Sequence, residues 1–220
     1  MNYIDFWQQV SVYSILVPLV TGLVFLKYLD HTSKAVLVLL IVAAIPQFGS
    51  GIIPGFLKNI TYNLYSIVEY IFWSWLFYIN CTTGWIRRII IFLLLIFMGL
   101  TIQLTVMEGG LGHRFFNELQ CLNSMVQVIL VLFYYYNLSR GDRELQLQYE
   151  PLFWFTMAIL LYAPSTYFYF VFYNEIRVHH MYTDTRLIHN VLNALHYAII
   201  AAGMYINRKS ITINTPHVLS

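Results

Sequence analysis

The sequence predicts an all-α fold, a polytopic membrane protein of seven transmembrane helices. Three observations carry that expectation. Of the 220 residues, 59% are hydrophobic and only 10% are charged, whereas a soluble domain carries about 25% charged residues. Stretches of roughly 20 apolar residues, the length that crosses a bilayer, recur along the whole chain. The connections between them are short, so successive helices are expected to lie antiparallel beside one another.

The spans fall at about 9–29, 34–54, 60–81, 86–106, 115–138, 151–173 and 186–207. Pro18, Pro46 and Pro164 lie inside the first, second and sixth. Each removes a backbone donor and can kink its helix, which serves either ordinary bundle packing or a hinge. The third span is interrupted by Glu69, an ionisable group at membrane depth. Such a group costs several kcal/mol unless it is paired or hydrated, and it marks a candidate site. Trp7, Trp85, Tyr182 and Tyr205 stand near span ends and suit the interfacial aromatic belts. The longest connections are Ser139–Glu150 and Asn174–Thr185.

Lysine and arginine set the orientation. With the N-terminus outside, the inner side holds Lys27, Lys34, Arg87, Arg88, Arg140, Arg143, Arg208 and Lys209. The outer side holds only Lys58, Arg114, Arg177 and Arg186. The expected topology therefore has the N-terminus out and the C-terminus in the cytoplasm. One membrane domain covers residues 1–208, and 209–220 forms a short cytoplasmic tail.

Several classes are disfavoured. The formal charge of +2 and the lack of a basic arm argue against nucleic-acid binding. Residues 1–10 contain Asp5 and no Lys or Arg, so a cleavable signal peptide is not expected. No lipidation motif is present. Cys81 and Cys121 fall near opposite membrane faces and are expected to remain unpaired.

With so few charges, the polar faces point to the interior. At about 100° per residue, Tyr62, Ser66, Glu69 and Trp73 share one face of the third span, with Asn63 and Tyr70 on its shoulder. His189, Asn193 and His196 share a face of the seventh, flanked by Asn190 and Tyr197. Asn117, Gln120, Ser124 and Gln127 form a stripe on the fifth. Gln47, Thr101, Gln103, Tyr162, Ser165 and Thr166 complete the polar groups. Lipid cannot satisfy such stripes, so they face protein or a cavity.

Counting residues from the outer ends puts Glu69 and His196 both about 14–15 Å deep, near the midplane. His189, Asn193, Gln47, Gln103, Asn117, Glu118, Ser165 and Thr166 map to the outer half, which gives a polar-aromatic cup open to the outside. Glu69 and His196 form the favoured pair at its floor, because a neighbouring carboxylate holds a histidine charged. The alternative is a buried hydrogen bond that only locks the two spans together. The expected ligand-binding set is Glu69, His196, Asn193, His189, Ser66, Asn63, Gln47, Gln120, Ser124, Tyr162 and Trp73. No metal or cofactor is expected. His189 and His196 are roughly 10 Å apart along one helix face, too far to share an ion, and Glu118 points away from the polar stripe of its helix. His179-His180 lies in an exterior loop.

The microbial rhodopsins need a lysine in the last span, and the zinc-dependent progestin-and-adiponectin-receptor and ceramidase group needs a membrane-embedded Asp. Neither is present. In outline the chain is similar to PQ-loop and SWEET-type transporters, through Pro46-Gln47, Pro164, Asn63 and Asn193. It most resembles small orphan seven-helix proteins of Bacteroidota, through Glu69, Pro151-Leu-Phe-Trp154, Asn190 and Asn193. That resemblance implies a sensory or accessory role in the inner membrane, beside signalling partners.

The functional expectation is a receptor-like protein that binds a small molecule, lipid or peptide and passes the signal to a cytoplasmic partner. Loop Ser139–Glu150, with Arg140, Asp142, Arg143 and Glu144, is its expected docking surface. A small-solute transporter with three-one-three repeats, or a lipid-acting membrane enzyme, are the alternatives.

Overall fold

A computed structural model describes residues 3–49, 53–139, 147–172 and 182–214, and among them every regular element is helical. The elements are α1 (Tyr3–Ser14), α2 (Leu16–Val24), α3 (His31–Gly49), α4 (Gly55–Asn80), α5 (Gly84–Met107), α6 (Asn117–Ser139), α7 (Pro151–Val171) and α8 (Tyr182–Asn214). Short 3-10 turns stand at Leu26–Tyr28 and Leu147–Tyr149.

Six stretches are long and apolar enough to cross a membrane: Asp5–Val24, His31–Gly49, Gly84–Met107, Asn117–Ser139, Pro151–Val171 and Thr185–Asn207. They fit a multi-pass membrane protein. The third expected span, α4, does not join them on composition, although it has 26 residues. Asn59, Asn63, Ser66, Glu69 and Ser74 dilute its apolar character. Large apolar side chains cover the outside of the most apolar helix, with Ile91, Phe92, Leu95, Ile96 and Ile102 of α5 all exposed. A contiguous apolar surface of this kind is one that lipid covers.

The first span differs from expectation. It starts earlier than residue 9, breaks at Ile15 and stops at Val24, and the 3-10 turn occupies the predicted inner end. Pro18 explains the break. It offers no N–H to the Ser14 carbonyl, and its ring crowds that carbonyl, so α1 ends there. The ladder restarts where the Leu19 N–H donates to the Ile15 carbonyl at 3.3 Å. After the turn, Asp30 caps α3 by accepting the Ser33 N–H at 2.8 Å. Pro46 and Pro164 stay within continuous helices.

The chain divides into two compact units. One comprises residues 42–142 and 163–185, and within it α4, α5 and α6 pack against one another. Tyr70 of α4 stacks on Phe97 of α5 with ring centres 3.8 Å apart, and its hydroxyl donates to the Leu93 carbonyl at 2.9 Å. At the end of α5 the chain turns through Gly109 (φ 70°) and Gly110 (φ 133°), where only glycine is unstrained. The Gly110 N–H reaches back to the Thr105 carbonyl at 2.9 Å, closing the helix end. Contacts from α4 to α6 ascend together along both chains, so these two helices run parallel. Both cysteines, Cys81 and Cys121, belong to this unit and are free.

The other unit comprises residues 1–41, 143–162 and 186–220. Here too the contacts ascend together. Ser11 meets Asn193, Gly22 lies against Met204, Phe25 packs on Tyr205, and Asp30 donates its N–H to the Asn207 side chain. The first two helices therefore run parallel to α8. Two glycines of this unit leave room for neighbouring side chains, Gly22 for α3 and Gly203 for α7. A Cβ at Gly22 would stand 2.6 Å from Leu37 Cδ1, and one at Gly203 would stand 2.9 Å from Trp154 Cβ. Small residues at such crossings are how membrane helices approach.

α8 runs on to Asn214, so the start of the expected tail continues the helix. Residues 215–220 lie outside the described residues. So do Arg140, Asp142, Arg143 and Glu144 of the expected docking loop, and His179-His180.

Candidate functional site

Glu69 sits on α4 within a ladder of side-chain bonds to α6. Asn63 heads the ladder: its Oδ1 accepts the Phe116 N–H at 3.0 Å, while its Nδ2 donates to the carbonyls of Leu111 and Arg114, both at 2.8 Å. One turn on, the Ser66 hydroxyl donates to Gln120 Oε1. A further turn on, Asn123 Nδ2 donates to Glu69 Oε2 at 2.8 Å, and the Tyr65 hydroxyl donates to Glu69 Oε1 at 3.3 Å. Gln127 Nε2 then donates to Asn123 Oδ1 at 3.0 Å. At the far end, Thr83 donates to Asn137 Oδ1 at 2.8 Å. Ser66–Gln120, Glu69–Asn123 and Thr83–Asn137 share a separation of 54 residues. The first two of these pairs join parallel helices α4 and α6 in one register, one turn apart, and the third joins the turn after α4 to the end of α6.

This arrangement has an electrostatic consequence. The groups bonded to Glu69, the amides of Asn123 and Gln127 and the phenol of Tyr65, are all neutral. Among the described residues the ion pairs involve Arg114, with Glu108 at 2.9 Å and Glu118 at 3.0 Å. Gln127 orients Asn123 so that its Nδ2, rather than its Oδ1, faces the carboxyl. Glu69 is therefore held by groups that fix its position without supplying a countercharge.

The buried stripe of α4 runs through Asn63, Ser66, Tyr70, Trp73 and Phe77. Glu69 and Tyr62 flank it half-buried, so the centre and the shoulder of the expected face change places. Trp73, 3% exposed, packs edge-on to Phe72 at 5.4 Å and tilts over Phe77 at 6.2 Å. It acts as packing for the ladder. Ser124 is buried on α6 beside Asn123, and Gln47 is half-buried on α3 just past Pro46. Thr101 is buried and bonds back to the Phe97 carbonyl. Gln103 departs from the expected interior: it is exposed, with its Nε2 3.7 Å from the Met107 sulfur.

Asn123 is the residue that sequence reasoning missed. The expected stripe stepped from Gln120 to Ser124 to Gln127 and passed over it. Yet Asn123 is three residues after Gln120 and four before Gln127, so the same face contains it. That spacing was the available signal.

The second unit gathers the remaining candidates. Tyr162 lies between two histidines, its ring centre 5.4 Å from that of His189 and 4.8 Å from that of His196. Seven helical residues rise about 10.5 Å, the thickness of this three-ring stack, which accounts for the histidine spacing. His196 Nδ1 lies 3.0 Å from the Ala158 carbonyl. A carbonyl only accepts, so Nδ1 carries the hydrogen. Asn193 Nδ2 donates to Ser11 Oγ at 2.9 Å. Glu69 and His196, expected as a pair, thus each have partners within their own unit. Among the described residues no three His, Cys, Asp or Glu side chains are grouped to hold a metal ion.

No family model, no curated protein and no solved structure matches this chain.

Proposed function

We propose that this protein is a receptor-like or sensory component of the plasma (inner) membrane. In this reading it crosses the membrane seven times, with the N-terminus outside. Helix α4, the third span in order, brings the six to seven: its 26 residues extend about 39 Å, more than the roughly 30 Å hydrocarbon core. Its polar groups turn toward α6 instead of lipid, which is how an intramembrane helix carries them.

The single observation behind the reading is Glu69. A carboxyl at membrane depth, positioned by Asn123 and Tyr65 without a cation, is matched to a ligand that brings a hydrogen-bond donor or a positive charge. Ser66, Gln120 and Ser124 lie on neighbouring turns and supply further polar contacts. Ligand binding would shift the balance between two packings of proline-containing helices, in proportion to its different affinity for each. The cytoplasmic readout would pass to a separate signalling protein.

The test uses the protein in lipid nanodiscs, screened by thermal shift against amines, amino acids, polyols and short-chain lipids. The reading expects one class to raise the melting temperature of the wild type and to have no effect on Glu69→Gln. Proteoliposomes loaded with that compound should show binding without counterflow. Sustained counterflow would make the protein a small-solute transporter, and chemical turnover of an added lipid would make it a membrane enzyme. Either result rejects the receptor reading.

A further inference from the structure

The other unit carries buried donors that the Glu69 ladder does not use, two of them on α1 and α8. Asn190 is 8% exposed, and its Nδ2 is buried with no hydrogen-bond partner among the described residues. The same holds for the indole Nε1 of Trp7. These residues come from opposite ends of the chain, and the packing brings them to one level. Ser11 and Asn193 are bonded at 2.9 Å, and α1 runs parallel to α8. Trp7 is four residues before Ser11, a rise of about 6 Å, and Asn190 is three before Asn193, about 4.5 Å. The two levels agree to about 1.5 Å.

Both side chains also face the shared interface. On the first two helices the buried positions Ser11, Ile15, Pro18 and Gly22 recur at spacings of three or four. Trp7 heads that stripe one turn above Ser11. On α8 the buried Asn190, Tyr197, Ile200, Met204 and Asn207, with the half-buried Asn193 between the first two, recur at the same spacings. Asn190 heads that stripe, one turn above the Asn193 that meets Ser11. The indole ring is fixed from outside by edge contacts with Tyr3 at 6.3 Å and Phe6 at 5.7 Å.

We propose that Trp7 and Asn190 form a binding site for a small carboxylate between α1 and α8. An indole nitrogen only donates, and so does an amide nitrogen. The complementary group has two acceptor oxygens and no donor, which describes a carboxylate. The aromatic ring of Trp7 suits an apolar body attached to the carboxylate. This site belongs to a different unit from Glu69 and takes ligand of opposite polarity.

The test labels the tryptophans with nitrogen-15 and follows the Trp7 indole resonance, assigned through Trp7→Phe, in nanodiscs of ether-linked lipid. Benzoate and acetate are the probes, with benzamide and benzylamine as neutral and cationic counterparts. The site predicts a saturable shift with the carboxylates, tighter for benzoate, and none with benzylamine. Asn190→Val should weaken benzoate about tenfold or more, the scale of one hydrogen bond to a charged group. Its own Trp7 resonance reports that the fold is retained, and Asn190→Asp, which places like charge at the site, should abolish the shift. A Trp7 resonance that ignores both carboxylates overturns the proposal. So does equal response to benzamide, or a shift that arises only when ester lipids replace ether lipids, because lipid carbonyls then hold the donors.

Discussion

Replacing Asn63 with alanine removes the clamp that holds the α5–α6 turn against α4. The side chain makes three bonds to that turn: from Nδ2 to the carbonyls of Leu111 and Arg114, and from the Phe116 N–H to Oδ1. At about 1 kcal/mol net for each, the loss is about 3 kcal/mol. Phe116 is 1% exposed, so its N–H cannot recover the bond from water, and this estimate stands at the upper part of its range. Asn59, which donates to the Gly112 carbonyl at 3.1 Å, remains and limits the damage to local loosening. The assay is denaturant unfolding in detergent micelles, combined with hydrogen exchange at Phe116. Asn63→Asp keeps the acceptor for Phe116, so its amide should stay protected while the two donated bonds are lost. A loss below about 1 kcal/mol in Asn63→Ala, with the Phe116 amide still slow to exchange, would refute the clamp.

Other consequences can be checked together. Gly203→Ala should destabilise more than Gly22→Ala, because its Cβ would meet the Trp154 Cβ at 2.9 Å, whereas the obstacle at Gly22 is the movable end of Leu37. Overpacking of this kind costs about 1–3 kcal/mol, and comparative thermal unfolding reads it directly. Arg114→Gln should cost at most about 1 kcal/mol and lose its effect in high salt, since its pairs with Glu108 and Glu118 are exposed. Cys81 is 0% exposed, so maleimide should modify it only after denaturation, as mass spectrometry of folded and unfolded samples would show.

Much of the architecture was legible because bilayer length and hydrophobic patterning are one-dimensional signals. They located the helical segments, with ends that differ from those of the structure by up to seven residues. They did not anticipate the break at Ile15, because the position of a proline fixes which carbonyl it frees but not whether packing keeps the helix whole. Pro46 and Pro164 stay within continuous helices and Pro18 does not. Polar spacing identified the right helix faces on α4 and α6, and Glu69 as the residue to examine. It passed over Asn123, and it could not say which helix would face Glu69. Depth counting gives a residue's level, whereas hydrogen-bond partners depend on which helices are neighbours and in what register. Asn63 shows the same gap. Its residue type suggested a ligand contact, yet its amide is occupied by backbone groups of a loop fifty residues along the chain.

In the proposed function Glu69 is held by neutral partners for use by a ligand, and is not a clamp. Affinity and stability compared in Glu69→Gln, with the compound class that stabilises the wild type, separate the two roles. Glutamine retains an acceptor for Asn123 Nδ2, so the stability should change by no more than about 1 kcal/mol. The affinity should fall about tenfold or more, the scale of one charge-assisted hydrogen bond. A variant that keeps its affinity, or one that unfolds while Asn123→Leu unfolds to the same extent, would show that the ladder serves only to hold α4 and α6 together.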